Sequence, residues 1–196
     1  MARIKTEKDV TKKDVILKAA GTLFREKGYK AASMRDLAER VGIEAASLYN
    51  HIRSKAELLH DICFNSSNFY LEHITRIENT DISQLEKVET ILRFQIKQMI
   101  EHFDERYVAD REWKHLPEPH LANYQTLRHN YRKKLNEIIT KGVQNGEIKD
   151  INVPSTIWLL LHAISGIESW HRSKTKIEPE LLEENMITIL IGGLKK

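Results

Sequence analysis

Hydrophobic residues recur at helical intervals along almost the whole chain. Val15, Ile16, Ala19, Ala20, Leu23 and Phe24 fall three and four apart, the spacing that lines one face of an α-helix. Thr11 with Asp14 is a capping-box start, and Gly28 offers left-handed backbone for a stop, so a first helix is predicted over 12–27. Ser33 with Asp36 repeats the start signal, and Gly42 ends that second helix after Val41. A third is predicted over 45–51, and Ser54 with Glu57 opens a fourth over 55–77. Leu85, Val88, Leu92, Ile96 and Met99 mark a fifth, ending near His102. A sixth over 108–116 is stopped by Pro117 and Pro119. The remaining helices are predicted over 122–144, from Pro154 to about Arg172, and from Pro179 to Leu194. The pattern predicts an all-α fold of about nine helices, without a strand.

The first three helices are short and closely spaced. Phe24, Leu37, Ala38, Val41, Leu48 and Ile52 can bury one small core between them. The division expected is a helix-turn-helix head over 1–54 on a larger body over 55–196. In the second short pair, Gly42 supplies the positive φ that a sharp turn needs. With Leu48 and Ile52 inward, the outward face of the third helix is Ala45, Ala46, Ser47, Tyr49, Asn50 and His51. Small alanines allow a helix to sit deep in a major groove about 12 Å wide, where their methyls can meet thymine methyls. Asn50 and His51 can hydrogen-bond to bases or phosphates, and Arg35, Arg53 and Lys55 flank the helix as cations for phosphates.

Charge adds a modest bias. Residues 1–60 hold 13 Lys and Arg against 8 Asp and Glu, a net +5, and the rest hold 18 against 20, a net −2. A basic start on a slightly acidic body fits a polyanion partner for the head. Cys63 is the only cysteine, so no intrachain disulfide can form, as suits a reducing cytosol, and a buried small hydrophobe is its expected role. The charged start over 1–10 has no secretory signal pattern. The longest apolar run, 156–167, falls short of the ~20 residues of a membrane span. A cytoplasmic protein without membrane association is expected.

Catalytic patterns are missing. There is no G-x-S-x-G, P-loop or G-x-G-x-x-G sequence. Glu168 with His171 is a single E-x-x-H pair, where a di-iron bundle needs two and two further carboxylates. No enzyme activity, metal or cofactor is expected.

The stretch from Ser33 to Leu59, with Ile16, Ala19, Ala20, Phe24, Gly28 and Tyr29 upstream, resembles the DNA-binding head of the TetR repressor family. The shared pattern is a helix ending in Phe and Gly-Tyr, then Ser-Met-Arg-Asp-Leu-Ala, Gly42-Ile43, Leu48-Tyr49, and Lys55 with Leu58. Ile52 stands where the family usually has Phe. The resemblance implies that Ser33 and Arg35 touch the DNA backbone or nearby bases, and that Ala45, Ala46, Ser47, Asn50 and His51 lie on the recognition helix. It also implies phosphate contacts for Tyr49 and Lys55. Half-buried packing on the first helix is the other role open to Tyr49.

The family resemblance further implies a homodimer on a palindromic double-stranded DNA operator, paired through the last two helices. Trp158, Leu161, Ile187, Leu190, Ile191 and Leu194 are the interface candidates, and intrachain core is their alternative. The body is similar to one TetR branch, through Ala109-Asp110-Arg111-Glu112-Trp113, Tyr124 to Arg132 with Arg128 and Tyr131, Gly142 to Gly146, and Trp170-His171-Arg172. His171 replaces that branch's usual Tyr. The likeness implies a small-molecule effector such as an acyl-coenzyme A thioester. Arg111, Arg128, Arg132 and Lys133 could meet its phosphates, and Phe69, Ile96, Ile100, Phe103, Trp113, Tyr131 and Trp170 could form its site. A lipophilic effector without coenzyme A is the alternative, and a helical protein-interaction module is the remote one.

Overall fold

The computed structural model describes residues 11–175 and 177–196; the charged start over 1–10 lies outside them. Ten α-helices follow one another: α1 Lys12–Lys27, α2 Met34–Val41, α3 Ala45–Leu48, α4 Lys55–Glu78, α5 Gln84–Glu101, α6 Phe103–Arg111, α7 His120–Gln144, α8 Val153–Ser165, α9 Ile167–Arg172 and α10 Pro179–Leu194. A 3-10 turn at Trp113–His115 follows α6. Among the described residues the only extended pairing is an isolated bridge between Ile148 and Lys195.

The predicted caps form. Thr11 Oγ1 accepts from the Asp14 N–H at 3.1 Å, and the Asp14 carboxylate accepts from the Thr11 N–H at 2.9 Å. Ser33 with Asp36 and Ser83 with Glu86 repeat this reciprocal pairing, which satisfies donors that a helix start leaves open. At α4 the box is offset. Ser54 Oγ accepts from the Glu57 N–H at 3.1 Å, but the Glu57 carboxylate reaches back to the Arg53 N–H at 2.7 Å. Gly28 and Gly42 stop α1 and α2 at φ 78° and 72°, backbone that only glycine adopts without penalty.

Three predicted boundaries move. α3 is helical only to Leu48, after which Asn50 and His51 bond back three residues, to Ser47 and Leu48. The helix expected over 108–116 begins earlier, at Phe103, with Asp104 and Glu105 in its first turn, where negative charge suits the helix dipole. The helix expected to run to Arg172 divides at Gly166, whose N–H is shared between the His162 and Ala163 carbonyls. Counted through that break, the helices among the described residues number nine.

The chain forms two compact units. The head unit holds residues up to Ser66 together with Asp104–Tyr124; the body unit holds Ser67–Phe103 and Gln125–Lys196. Val108, Ala109, Leu116 and Tyr124 join Ile16, Phe24, Leu37, Leu48, Ile52 and Cys63 in the head core. Cys63 is wholly buried. The body core is aliphatic, built from Ile74, Val88, Leu92, Ile96, Leu135, Ile139, Ile157, Leu160 and Ile164 among others. No described helix is long and apolar enough to cross a membrane.

Candidate nucleic-acid interface

Leu48 and Ile52 are buried in the head core, as predicted. That fixes the rotation of α3 and the turn after it. Ala45, Ala46, Ser47, Tyr49, Asn50 and His51 all face solvent. Tyr49 is 53% exposed. Arg35 is exposed at the start of α2. Ser33, the N-cap of that helix, gives its hydroxyl proton to Asp36 at 2.7 Å. The Lys27 ammonium, 2.8 Å from Asp36, and Ser33 hold that carboxyl well below the usual carboxylate range. The cap therefore stays ionised at any working pH. These residues form a polar row beside small alanines, with the two anchors beneath it.

Lys55 is engaged within the protein. Its ammonium donates to the Ala32 carbonyl at 2.7 Å, the Tyr29 carbonyl at 2.8 Å and the Lys30 carbonyl at 3.3 Å, and lies 4.6 Å from the Tyr29 ring centre. An ammonium has three donors, and these are spent inside the protein. The ammonium thus braces the first turn of α4 against the α1–α2 connection. Sequence reasoning could name the lysine but not the carbonyls that converge on it. Tyr29 is itself held, edge-on to Phe24 at 5.3 Å and stacked on His115 at 5.6 Å.

The predicted effector residues are divided between the units. Arg111 and Trp113 belong to the head unit, Arg111 near the Tyr107 ring and Trp113 against Tyr124. Phe69, Ile96, Ile100, Phe103, Arg128, Tyr131, Arg132 and Trp170 belong to the body unit. Ile96 is wholly buried and Phe69 largely exposed. Phe103 stacks on His171 with ring centres 4.0 Å apart, and the Trp170 indole N–H donates to the Ile177 carbonyl at 3.0 Å. Glu168 pairs with Arg172 at 2.6 Å and His171 Nε2 meets the Met99 carbonyl at 2.9 Å. Among the described residues no three potential ligands gather to hold a metal.

Sequence reasoning missed buried polar groups in the body. His73 and Gln95 are buried, Phe94 stacks face to face on His73 at 3.7 Å, and Gln95 is hydrogen-bonded to the Tyr131 hydroxyl. His73 sits on the solvent-to-core boundary of α4, where apolar periodicity gave no signal.

Of the interface candidates, Ile187 and Leu194 are core residues of their own chain, because they turn inward with Leu190 at three- and four-residue intervals. Leu161, Leu190 and Ile191 are half-buried. The candidate Trp158 on α8 is 63% exposed beside Leu159 at 65%, and Leu181 and Ile189 are exposed on α10.

Two family models match the chain. Residues 16–62 match the bacterial regulatory proteins of the tetR family, and residues 81–194, more than half the chain, match the tetracyclin repressor-like C-terminal domain. The chain belongs to the TetR family. It is a DNA-binding transcriptional regulator, not an enzyme. This TetR-family chain is 23% identical over 186 residues to the transcriptional repressor KstR2 of Mycolicibacterium smegmatis, covering 94% of this chain and 91% of that one. Its fold is similar to the crystal structure of KstR2 of Mycobacterium tuberculosis, with a TM-score of 0.87 at 19% identity over 98% of this chain and 97% of that one. It is also similar to AibR in complex with isovaleryl coenzyme A and operator DNA, with a TM-score of 0.80 at 21% identity over 92% and 98%.

Proposed function

We propose that this TetR-family regulator is a repressor that binds a palindromic operator as a homodimer and leaves it when a small effector, an acyl-coenzyme A thioester, binds the body. The observation that carries the DNA half is the outward row Ala45, Ala46, Ser47, Tyr49, Asn50 and His51 over buried Leu48 and Ile52. Alanines and small polar groups on a fixed helix suit base edges in a major groove, and Ser33, Arg35 and Tyr49 suit the backbone. Two such heads read sites about one helical turn apart. The exposed apolar side chains on α8 and α10 support pairing through those helices. Lys55 serves the head from within.

For the effector, the candidate cations in the body unit are Arg128, Arg132 and Lys133, and AibR provides the precedent of a structure holding an acyl-coenzyme A with operator DNA. A lipophilic effector without coenzyme A is the second reading, favoured by the aromatic cluster of Phe69, Tyr70 and Phe94, with ring centres 5.1 and 6.1 Å apart. In either case the effector acts by preferring the state in which the heads do not match the operator. A shift of α4, which contributes residues to both units, is the proposed switch element.

The test is a gel shift on the chain's own promoter. Sequence-specific retardation is expected, with affinity falling steeply in salt. Retardation relieved by an acyl-coenzyme A, and no longer relieved in Arg128→Ala, would fit the effector assignment. A protein-interaction module would retard no DNA specifically.

A further inference from the structure

Helix α8 carries no Asp, Glu, Lys or Arg from Val153 to Ser165, and its one titratable side chain is His162. Ser155, Trp158, Leu159 and His162 fall at i, i+3, i+4 and i+7, so they share one face of the helix, and all four are exposed. On α10, residues 185–194 are likewise without Asp, Glu, Lys or Arg. Gly192 and Gly193 are exposed there, a Cβ at either would meet nothing within 4 Å, and neither takes a positive φ. The Lys149 ammonium reaches their carbonyls at 3.5 and 3.2 Å, which alanine would equally permit. Glycine inside a helix costs about 0.8–1 kcal/mol against alanine. Nothing within the chain accounts for that cost, whereas close approach of a second backbone does. A symmetric pair supplies one by bringing the same surface of both copies together.

The His162 ring is fixed on that face. Its Nδ1 lies 2.8 Å from the Trp158 carbonyl, and the two rings meet edge-on with centres 4.8 Å apart. A carbonyl only accepts, so Nδ1 carries the proton and donates it, and the neutral ring keeps Nε2 as a bare acceptor. No carboxylate stands by for the cation. The helices packed on α8 are α5 and α9. On α9, Glu168 pairs with Arg172 at 2.6 Å and His171 meets the Met99 carbonyl. On α5, Glu86 serves the Ser83 cap, Lys87 donates to the Glu78 carbonyl, Arg93 is held by Glu89 with Glu183 and Glu184 of α10, and Lys97 faces Glu101. Among the described residues none of these groups pairs with His162. An imidazole in water takes its proton near pH 6.5. Covering it with a second apolar face is tolerable for the neutral ring and costly for the cation.

We propose that His162 makes the pairing of two copies sensitive to acid: the dimer forms with both His162 rings neutral and gives way to monomer as they take up protons. This rests on the reading of α8 and α10 as the pairing helices. Pairing lowers the proton affinity of the ring, so it is at full strength above about pH 6.5 and weakens as the pH falls below that value. Operator occupancy follows, because one head reads too few base pairs. The regulator thereby has a second input, acting on the pairing face and separate from the effector.

Sedimentation of the full-length protein, with fluorescence detection down to nanomolar concentrations, tests it. Each ring contributes about tenfold between about pH 7.5 and about pH 5.5, so the dimer dissociation constant should rise roughly a hundredfold across that range. His162→Gln keeps a polar side chain that does not titrate, and should hold the constant level within about threefold. His73, with its pKa pushed down to about 4, titrates below this window. Helical circular dichroism should stay the same at both ends of the range, which separates dissociation from unfolding. A constant that does not move in the wild type, or that rises equally in His162→Gln, overturns the proposal and leaves the pairing reading standing. Loss of helix in acid shared by His162→Gln assigns the effect to folding and overturns it too. A wild type that is monomeric at about pH 7.5 removes the pairing reading and the proposal with it.

Discussion

Lys55 gives its three protons to carbonyls of Tyr29, Lys30 and Ala32, and that arrangement separates two roles that charge alone would merge. Lys55→Ala should lower the unfolding free energy by about 1–3 kcal/mol, as loss of charge-assisted hydrogen bonds to buried acceptors does. The salt slope of operator binding should stay unchanged, where loss of a phosphate contact would reduce it by about 0.9. Lys55→Arg should fail to restore stability, since a planar guanidinium does not place three donors on one point. Urea unfolding and binding isotherms at several salt concentrations measure both. His73 makes a second prediction at this scale. Its pKa is pushed from the ordinary 6.5 to about 4, chiefly by burial and then by Arg76. The neutral form is favoured in the folded protein, so the contribution to stability is full above pH 6.5 and is lost as the pH falls toward 4. Denaturation curves across that range should show His73→Phe with a flatter acid limb than the wild type, by up to about 1.4 kcal/mol per pH unit. Both residues show what a sequence can carry. The pattern around Lys55 named the family, but its bond partners come from a connection more than twenty residues away. His73 carries no motif, and only the structure shows its burial.

At the level of helices, the strong start and stop signals were legible, and the weak ones were not. Thr11 and Ser33 cap α1 and α2 because a short hydroxyl and a carboxylate three residues on satisfy each other. The early start of α6 escaped notice, because its first turn is read from charge and not from apolar spacing. On α10, Ile187 and Leu194, interface candidates with intrachain core as their alternative, face inward. Ten apolar or glycine positions in its sixteen residues leave the phase of the helix undetermined until α5 packs on one side, and Ile187 and Leu194 then prove to be the buried pair. Gly142 in α7 is a place where the reason for a residue is now plain. A Cβ there would lie 2.6 Å from Ile148 Cδ1 and 3.2 Å from Gln84 Cβ, and Ile148 is itself buried. Gly142→Ala should therefore destabilise by about 1–3 kcal/mol, the range for overpacking, despite alanine's better helix propensity. A melting curve that rises instead would mean that the 147–149 segment yields freely.

For the whole molecule, the proposed pairing through α8 and α10 rests on the exposed Trp158, Leu159 and Ile189. Trp158→Arg with Ile189→Asp should leave the helical circular dichroism intact and shift sedimentation to the monomer, with a matching loss of operator affinity because one head reads too few base pairs. A stable dimer in that variant would place the interface elsewhere. The two-part organisation was legible in outline, a basic short-helix head and a longer-helix body. A sequence read in order cannot show that Val108, Ala109, Leu116 and Tyr124 belong to a core begun at Ile16. That interruption has a consequence for biosynthesis. The reader of DNA comes first off the ribosome but lacks part of its interior until Tyr124 has been made, some seconds later at about 5–20 residues per second. A nascent or truncated chain ending at Ser66 should accordingly be unable to occupy the operator, and only polypeptides long enough to have begun α7 should compete for it.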